Sequence, residues 1–141
     1  MKITKKFMAV FLSIVTIISA FSFFPSTATA KPNFTKLQSN MVATGRISKK
    51  NKTNYFELTI KEKSRVSLLA YNGNLNRFYK LRCKIFKDEA LTKRVFKTKL
   101  RVTDTDVWGP YKKLEAGTYY ITLSSKKNFR YYLSTDILPA K

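Results

Sequence analysis

The chain has 141 residues, of which 28 are Lys or Arg, 8 are Asp or Glu and none is His, for a formal net charge of +20. Without histidine there can be no Ser-His-Asp or Cys-His catalysis and no His-ligated metal, and a single cysteine excludes intramolecular disulfides and thiolate zinc clusters built from one chain. With four glycines and no glycine-rich phosphate loop, the chain is a basic protein in which no catalytic residue, metal ligand or cofactor site is predicted.

The N-terminal segment reads as a secretory signal. Lys2, Lys5 and Lys6 precede a run from Phe7 to Phe24 that is apolar except for Ser13, Thr16, Ser19 and Ser22. Pro25 then breaks any helix, and Ala28-Thr29-Ala30 has the small-x-small pattern of a cleavage site. Residues 1–30 are predicted to be removed after Ala30. The alternative is an uncleaved anchor, because the apolar run approaches spanning length. No cysteine lies near the cleavage site, which argues against a lipoprotein. Removing 30 residues leaves 111, and removing the three signal lysines leaves 25 basic against 8 acidic residues, a net +17. That length suffices for one domain with its own core. The predicted location is extracellular, in association with the cell wall, with no membrane span after cleavage. Residues 31–40, with Pro32 near the new terminus, read as a loose lead-in to a domain over 41–141.

Beyond residue 40 the dominant apolar period is two. Phe56, Leu58 and Ile60 alternate with Tyr55, Glu57 and Thr59, and Val66, Leu68 and Ala70 with Arg65, Ser67 and Leu69. Leu81, Cys83 and Ile85 alternate with Arg82 and Lys84, which predicts a buried, structural cysteine. Asp88 to Phe96 reads as a strand end and loop, followed by a strand around Leu100 and Val102. Tyr119, Ile121 and Leu123, then Tyr131, Leu133 and Thr135, complete the series. Polar breaks at Ser48 to Asn54, Asn72-Gly73-Asn74, Lys87 to Glu89, Gly109-Pro110, Ala116-Gly117 and Ser124 to Asn128 separate the runs. Many short strands, each with one apolar face, predict an all-β protein, an antiparallel β-sandwich. In Ala116-Gly117-Thr118-Tyr119, Gly117 is placed to take a positive φ, and the Tyr119 hydroxyl is placed to reach backbone at the sandwich edge.

Several of these stretches together resemble one family. They are Gly45-Arg46-Ile47, Asn54-Tyr55-Phe56-Glu57-Leu58, the strand from Val66 to Leu68, Cys83 to Asp88, Leu114-Glu115-Ala116-Gly117-Thr118-Tyr119-Tyr120-Ile121 and Tyr131-Tyr132-Leu133. Over residues 40 to 137 the chain resembles the bacterial pre-peptidase C-terminal domain, a sandwich of jelly-roll type appended to secreted proteases. The resemblance implies a non-catalytic accessory module, here read as stand-alone, of a kind that binds insoluble polymers or assists folding and secretion. Some similar domains bind calcium through acidic residues. Here Asn54 stands where an aspartate is often found, and the loop acids Asp104, Asp106, Asp88 and Glu89 are few for an ion that needs six to eight oxygens. Paired carboxylates for a hydrolase, from Asp104 and Asp106 or Glu57 and Glu62, remain a formal alternative.

The basic residues are unevenly spread. From Leu75 to Arg101 there are ten, against only Asp88 and Glu89. Arg82 and Lys84 share one outward strand face, and Lys97, Lys99 and Arg101 share another. If the two strands are neighbours, these five residues form a cationic surface suited to a repeating anionic polymer, and they are the predicted ligand-binding residues. The expected partner is a cell-wall polyanion or acidic polysaccharide, with nucleic acid bound only non-specifically. A high basic charge also opposes self-association without any ligand. Phe78, Tyr79 and Trp108 lie near loop signals, where aromatics stack on sugars or enter a lipid interface, although capping the sandwich ends is the plainer role for Phe78 and Trp108. The rival functions are a secreted toxin or antimicrobial factor acting on anionic membranes, and an inhibitor or immunity-type protein that binds an acidic protein partner.

Overall fold

The structure is a computed structural model in which residues 30–73 and 78–141 are described, so the predicted signal over 1–30 lies, except for Ala30, outside the described residues. Among the described residues the period-two pattern becomes nine strands: β1 (Thr35–Leu37), β2 (Val42–Ile47), β3 (Thr53–Ile60), β4 (Ser64–Tyr71), β5 (Tyr79–Phe86), β6 (Arg94–Val102), β7 (Lys112–Leu114), β8 (Gly117–Ser124) and β9 (Phe129–Pro139). They form a five-stranded sheet in the order β1-β3-β8-β5-β6 and a four-stranded sheet in the order β2-β9-β4-β7. Apart from the parallel β1–β3 pair, the strands within the sheets pair antiparallel. The chain is therefore an all-β sandwich, as the alternation predicts. Successive strands pass from one sheet to the other except at β5–β6, which form a hairpin within one sheet.

The alternation decides which side chains form the core. In β8, Tyr119, Ile121 and Leu123 are buried while Thr118, Tyr120 and Thr122 are half-exposed, and in β5 Leu81, Cys83 and Ile85 point inward. Phe56, Leu58 and Ile60 of β3 meet Val66, Leu68 and Ala70 of β4 in the same cluster. Each fully buried side chain of this size contributes about 1.5–3 kcal/mol of transfer free energy. Cys83 lies in this core as a free thiol, and burial pushes its pKa up to about 12. It is a structural cysteine, as its neighbours predict.

Two tyrosines fasten the sandwich. Tyr131 of β9 lies opposite Gly45 of β2 and donates its hydroxyl hydrogen to Asn54 Oδ1 of β3 at 2.8 Å, so that it crosses from one sheet to the other. A Cβ on Gly45 would sit 2.1 Å from Tyr131 Cζ, so glycine is required for this close approach. Asn54 Nδ2 in turn donates to the Arg46 carbonyl at 3.2 Å, which gives the asparagine a structural duty on both sides. At the other end Gly117 has a φ of 146°, and Tyr119 donates to the Glu115 carbonyl at 2.9 Å, as the Ala-Gly-Thr-Tyr stretch predicts.

Two expectations need correction, and one strand was not expected. Residues 31–40 are not only a loose lead-in, because Thr35–Leu37 is a strand whose register pairs Thr35 with Phe56 and Leu37 with Leu58. Leu37 is buried in the core, and the compact unit runs from Pro32 to Lys141. The loop after β5 ends earlier than expected: Arg94, Val95 and Phe96 already belong to β6. Its hairpin is closed by Asp88, whose carboxylate accepts hydrogen bonds from the Thr92 and Lys93 amides and the Thr92 hydroxyl. The Thr92 hydroxyl and the Lys93 amide hold the Asp88 carboxyl below its ordinary pKa. Lys112–Leu114 is a strand that no alternation announces, since three residues are too few to show a period.

Candidate polyanion-binding face

The β5–β6 hairpin brings the predicted residues together. Its register sets Lys80 opposite Arg101, Arg82 opposite Lys99 and Lys84 opposite Lys97. Directly opposed residues of an antiparallel ladder share a face, with Cα atoms about 4.5–5.5 Å apart. All five predicted residues therefore lie on one outer surface, in two rows, and Lys80 completes the third pair. The ladder stays regular from Tyr79 to Ile85 and shifts register only between Ile85 and Phe86, past the last pair. Beneath it, Leu81, Cys83, Ile85, Leu100 and Val102 are buried and hold both strands against the core.

Opposed like charges on neighbouring strands cost stability. Among the described residues no carboxylate forms an ion pair with any of the six cations, whereas Lys63 and Glu115 pair at 2.6 Å on another part of the surface. Asp88, the nearest acid in sequence to Lys84, is held by its own loop. On the same face the next strand, β8, places Ser124 beside Arg82 and Thr122 beside Lys84. A shallow groove along this side is lined by Lys80, Arg82 and Ser124 and by Lys126 and Lys127 of the β8–β9 turn. Lys80 was legible from its spacing of two from Arg82. Lys126 and Lys127 were not, because only the non-local β5–β8 pairing carries their turn to this surface.

The aromatic candidates divide differently. Tyr79 stacks on Phe129 at a centroid distance of 4.6 Å and is not free to stack on a ligand. Phe78 is exposed, but the Arg101 guanidinium lies 4.2 Å from its ring centroid. Trp108 belongs to the other sheet, where it bridges to Leu69. The remaining large exposed apolar side chains, Met41, Val42, Val107, Tyr111 and Tyr132, also lie away from the β5–β6 ladder, in or beside the four-stranded sheet. Asp104 and Asp106 are exposed loop residues, and among the described residues no three His, Cys, Asp or Glu side chains come together as a metal site. No helix of the described residues is long and apolar enough to cross a membrane.

The outer face of the four-stranded sheet carries contacts of its own. The segment after β6 folds over β4: Gly109 N donates to the Leu68 carbonyl at 2.8 Å, and the buried Ser67 hydroxyl donates to the Gly109 carbonyl at 2.6 Å. Tyr111 donates its hydroxyl hydrogen to Asp136 at 2.5 Å, a bond that raises the tyrosine pKa, and Arg65 lies over the Tyr111 ring. Tyr71 packs against Tyr132 with ring centroids 5.4 Å apart.

No protein-family model matches the chain, and no curated protein matches it. Among solved structures it is similar to the pre-peptidase C-terminal domain of collagenase from Bacillus anthracis, with a TM-score of 0.55 and 9% identity over 74% of this chain and 96% of that one. At that identity the likeness is one of fold. It bears out the resemblance read from the strand motifs: this chain has the β-sandwich of a pre-peptidase C-terminal domain.

Proposed function

We propose that this protein is an exported, non-catalytic binding module whose β5–β6 face attaches it to a linear anionic polymer of the cell surface. The observation that carries this reading is the run of three like-charged cross-strand pairs, Lys80–Arg101, Arg82–Lys99 and Lys84–Lys97. A free-standing sheet gains nothing from opposing six cations without acids between them, and an external polyanion removes the repulsion. Attachment then rests on distributed charge contacts and release of counterions, not on a deep pocket. Apart from Phe78 at the ladder's end, the large exposed apolar residues lie off this face, which favours a polymer over an acidic protein, whose interface would set more apolar area beside the charge.

The test is sedimentation of the purified protein with isolated cell walls, with and without their anionic polymers, across a salt series. Pelleting that requires the polymers and fades with salt is the expected result. Pelleting unchanged at high salt rejects an electrostatic mechanism, and no pelleting at low salt rejects wall binding. Leakage of anionic vesicles would instead favour the membrane-acting alternative.

A further inference from the structure

The spacing of the six cations carries information beyond their sign. Along each strand the charged residues alternate with buried or half-buried ones, so Lys80, Arg82 and Lys84 repeat every second residue, as do Lys97, Lys99 and Arg101. Two residues of extended chain advance about 6.7 Å. That length is a property of six consecutive covalent bonds held extended, since three bonds of an extended backbone span roughly 3.3–3.6 Å. A polymer with one charge per six backbone bonds, lying extended along the hairpin, has the same repeat as the face beneath it. Two phosphates joined through a three-carbon diol are separated by that many bonds: P–O, O–C, two C–C, C–O and O–P.

Resting on the polyanion reading above, we infer that the β5–β6 face binds, in register, a phosphodiester polymer whose phosphates are linked by three-carbon alditol units. Each phosphate meets one cross-strand pair, with one cation on either side of the polymer axis, so that three successive phosphates occupy the three pairs. Inorganic polyphosphate crowds its charges onto two bonds per repeat and cannot keep this register, and longer diol linkers overshoot it. The side chains around the ladder match the linker as well. On the β8 side they are the hydroxyls of Thr122 and Ser124, which suit a polyhydroxy chain. Nucleic acid has the same number of bonds between phosphates, but it brings bases that need aromatic platforms. The six ladder positions contain no aromatic residue, the Phe78 ring at their end is engaged by Arg101 and Lys80, and Tyr120, on the outer face of β8 with Thr122, packs on Phe34.

The test measures affinity of the purified protein for synthetic phosphodiester oligomers matched in phosphate number and differing in linker: three-carbon, six-carbon, and none (inorganic polyphosphate), with oligothymidylate alongside. The three-carbon oligomer should bind about tenfold more tightly than the other two base-free probes, as expected when a mismatched repeat leaves two exposed ion pairs unmade. Removing two of the pairs, with Arg82→Gln, Lys99→Gln, Lys84→Gln and Lys97→Gln, should abolish this preference, because a single pair has no spacing to match. Removing only the end pair, with Lys80→Gln and Arg101→Gln, should keep it, because two adjacent pairs still set the repeat. Equal affinity for all linkers overturns the register while leaving polyanion binding intact, and failure of every probe to bind overturns both. Tighter binding of oligothymidylate than of the three-carbon oligomer overturns the alditol assignment in favour of nucleic acid.

Discussion

The two outer faces of the sandwich differ in how closely they gather like charges. On the four-stranded sheet, Ser67 donates to Gly109, Tyr111 donates to Asp136, Arg65 lies over Tyr111 and Tyr71 packs on Tyr132, and its two opposed cation pairs, Arg46–Arg130 and Arg65–Lys113, lie on different strand pairs. On the five-stranded sheet, three cation pairs stand opposed, and no described carboxylate forms an ion pair with them. The difference teaches that net charge alone identifies no site in a chain this basic. What distinguishes one face is that three like-charged pairs follow one another along a single hairpin with no carboxylate ion-paired to them, a condition that lowers stability unless a partner supplies counter-charge.

Both faces depend on one core, and the largest effect should come from breaking the bond between the sheets. Gly45→Ala places a methyl group 2.1 Å from Tyr131 Cζ, which expels the ring and breaks its hydrogen bond to Asn54. We expect a loss of about 3 kcal/mol or more, read from denaturant midpoints by probes on either sheet, with both faces lost in one transition. A midpoint within experimental error of the parent would show that the close approach is not required.

The next largest effect should separate the faces. Lys84→Glu with Lys97→Glu reverses one ladder pair and should weaken polyanion binding about 100-fold, roughly 2.7 kcal/mol. Arg65→Glu with Arg130→Glu makes the same change of charge on the other sheet and should alter binding by less than about threefold, because its charges are screened beyond roughly 10 Å. Equal losses from the two variants would erase the distinction between the faces.

A smaller effect lies in the floor of the ladder. The Cys83 pKa is raised from 9.0 to about 12 in the fold, so between those values the unfolded chain releases a proton that the native chain keeps. The unfolded state then binds fewer protons, and stability falls as pH rises. From pH 9 to 10 the thiol's share of that fall is about 1 kcal/mol, and Cys83→Ala should lack it. Native Cys83 should also resist alkylation at pH 8, and rapid labelling there would show that the hairpin opens. The smallest effect has the opposite sign. Arg82→Gln with Lys99→Gln should stabilise the free protein at low salt by about 0.5 kcal/mol and lose that advantage at high salt.

Much of this architecture was legible because a strand with one buried side writes its period into the chain. Phe56, Leu58 and Ile60, or Tyr119, Ile121 and Leu123, admit no other reading, and Gly117 with Tyr119 announced the turn and its hydrogen bond. Thr35–Leu37 and Lys112–Leu114 were illegible because three residues hold no period, and only the hydrogen-bonding edges of β3 and β4 make strands of them. The candidate site was half legible. Spacing alone put Arg82 with Lys84, and Lys97 with Lys99 and Arg101, on outward faces, but it left open whether those two faces were one.

By itself, then, the order of residues determined the fold class, the inward and outward sides of the main strands, the burial of Cys83 and the excess of positive charge. These are local properties, set by side-chain alternation and composition. Only the tertiary structure decided that β6 returns beside β5 with Lys99 against Arg82, that the β8–β9 turn adds Lys126 and Lys127 to the same side, and that Tyr131 passes over Gly45 to reach Asn54. Those are matters of register and pairing between distant segments. They follow from how two sheets bury a shared core, and a one-residue slip in that pairing would turn the same cations inward.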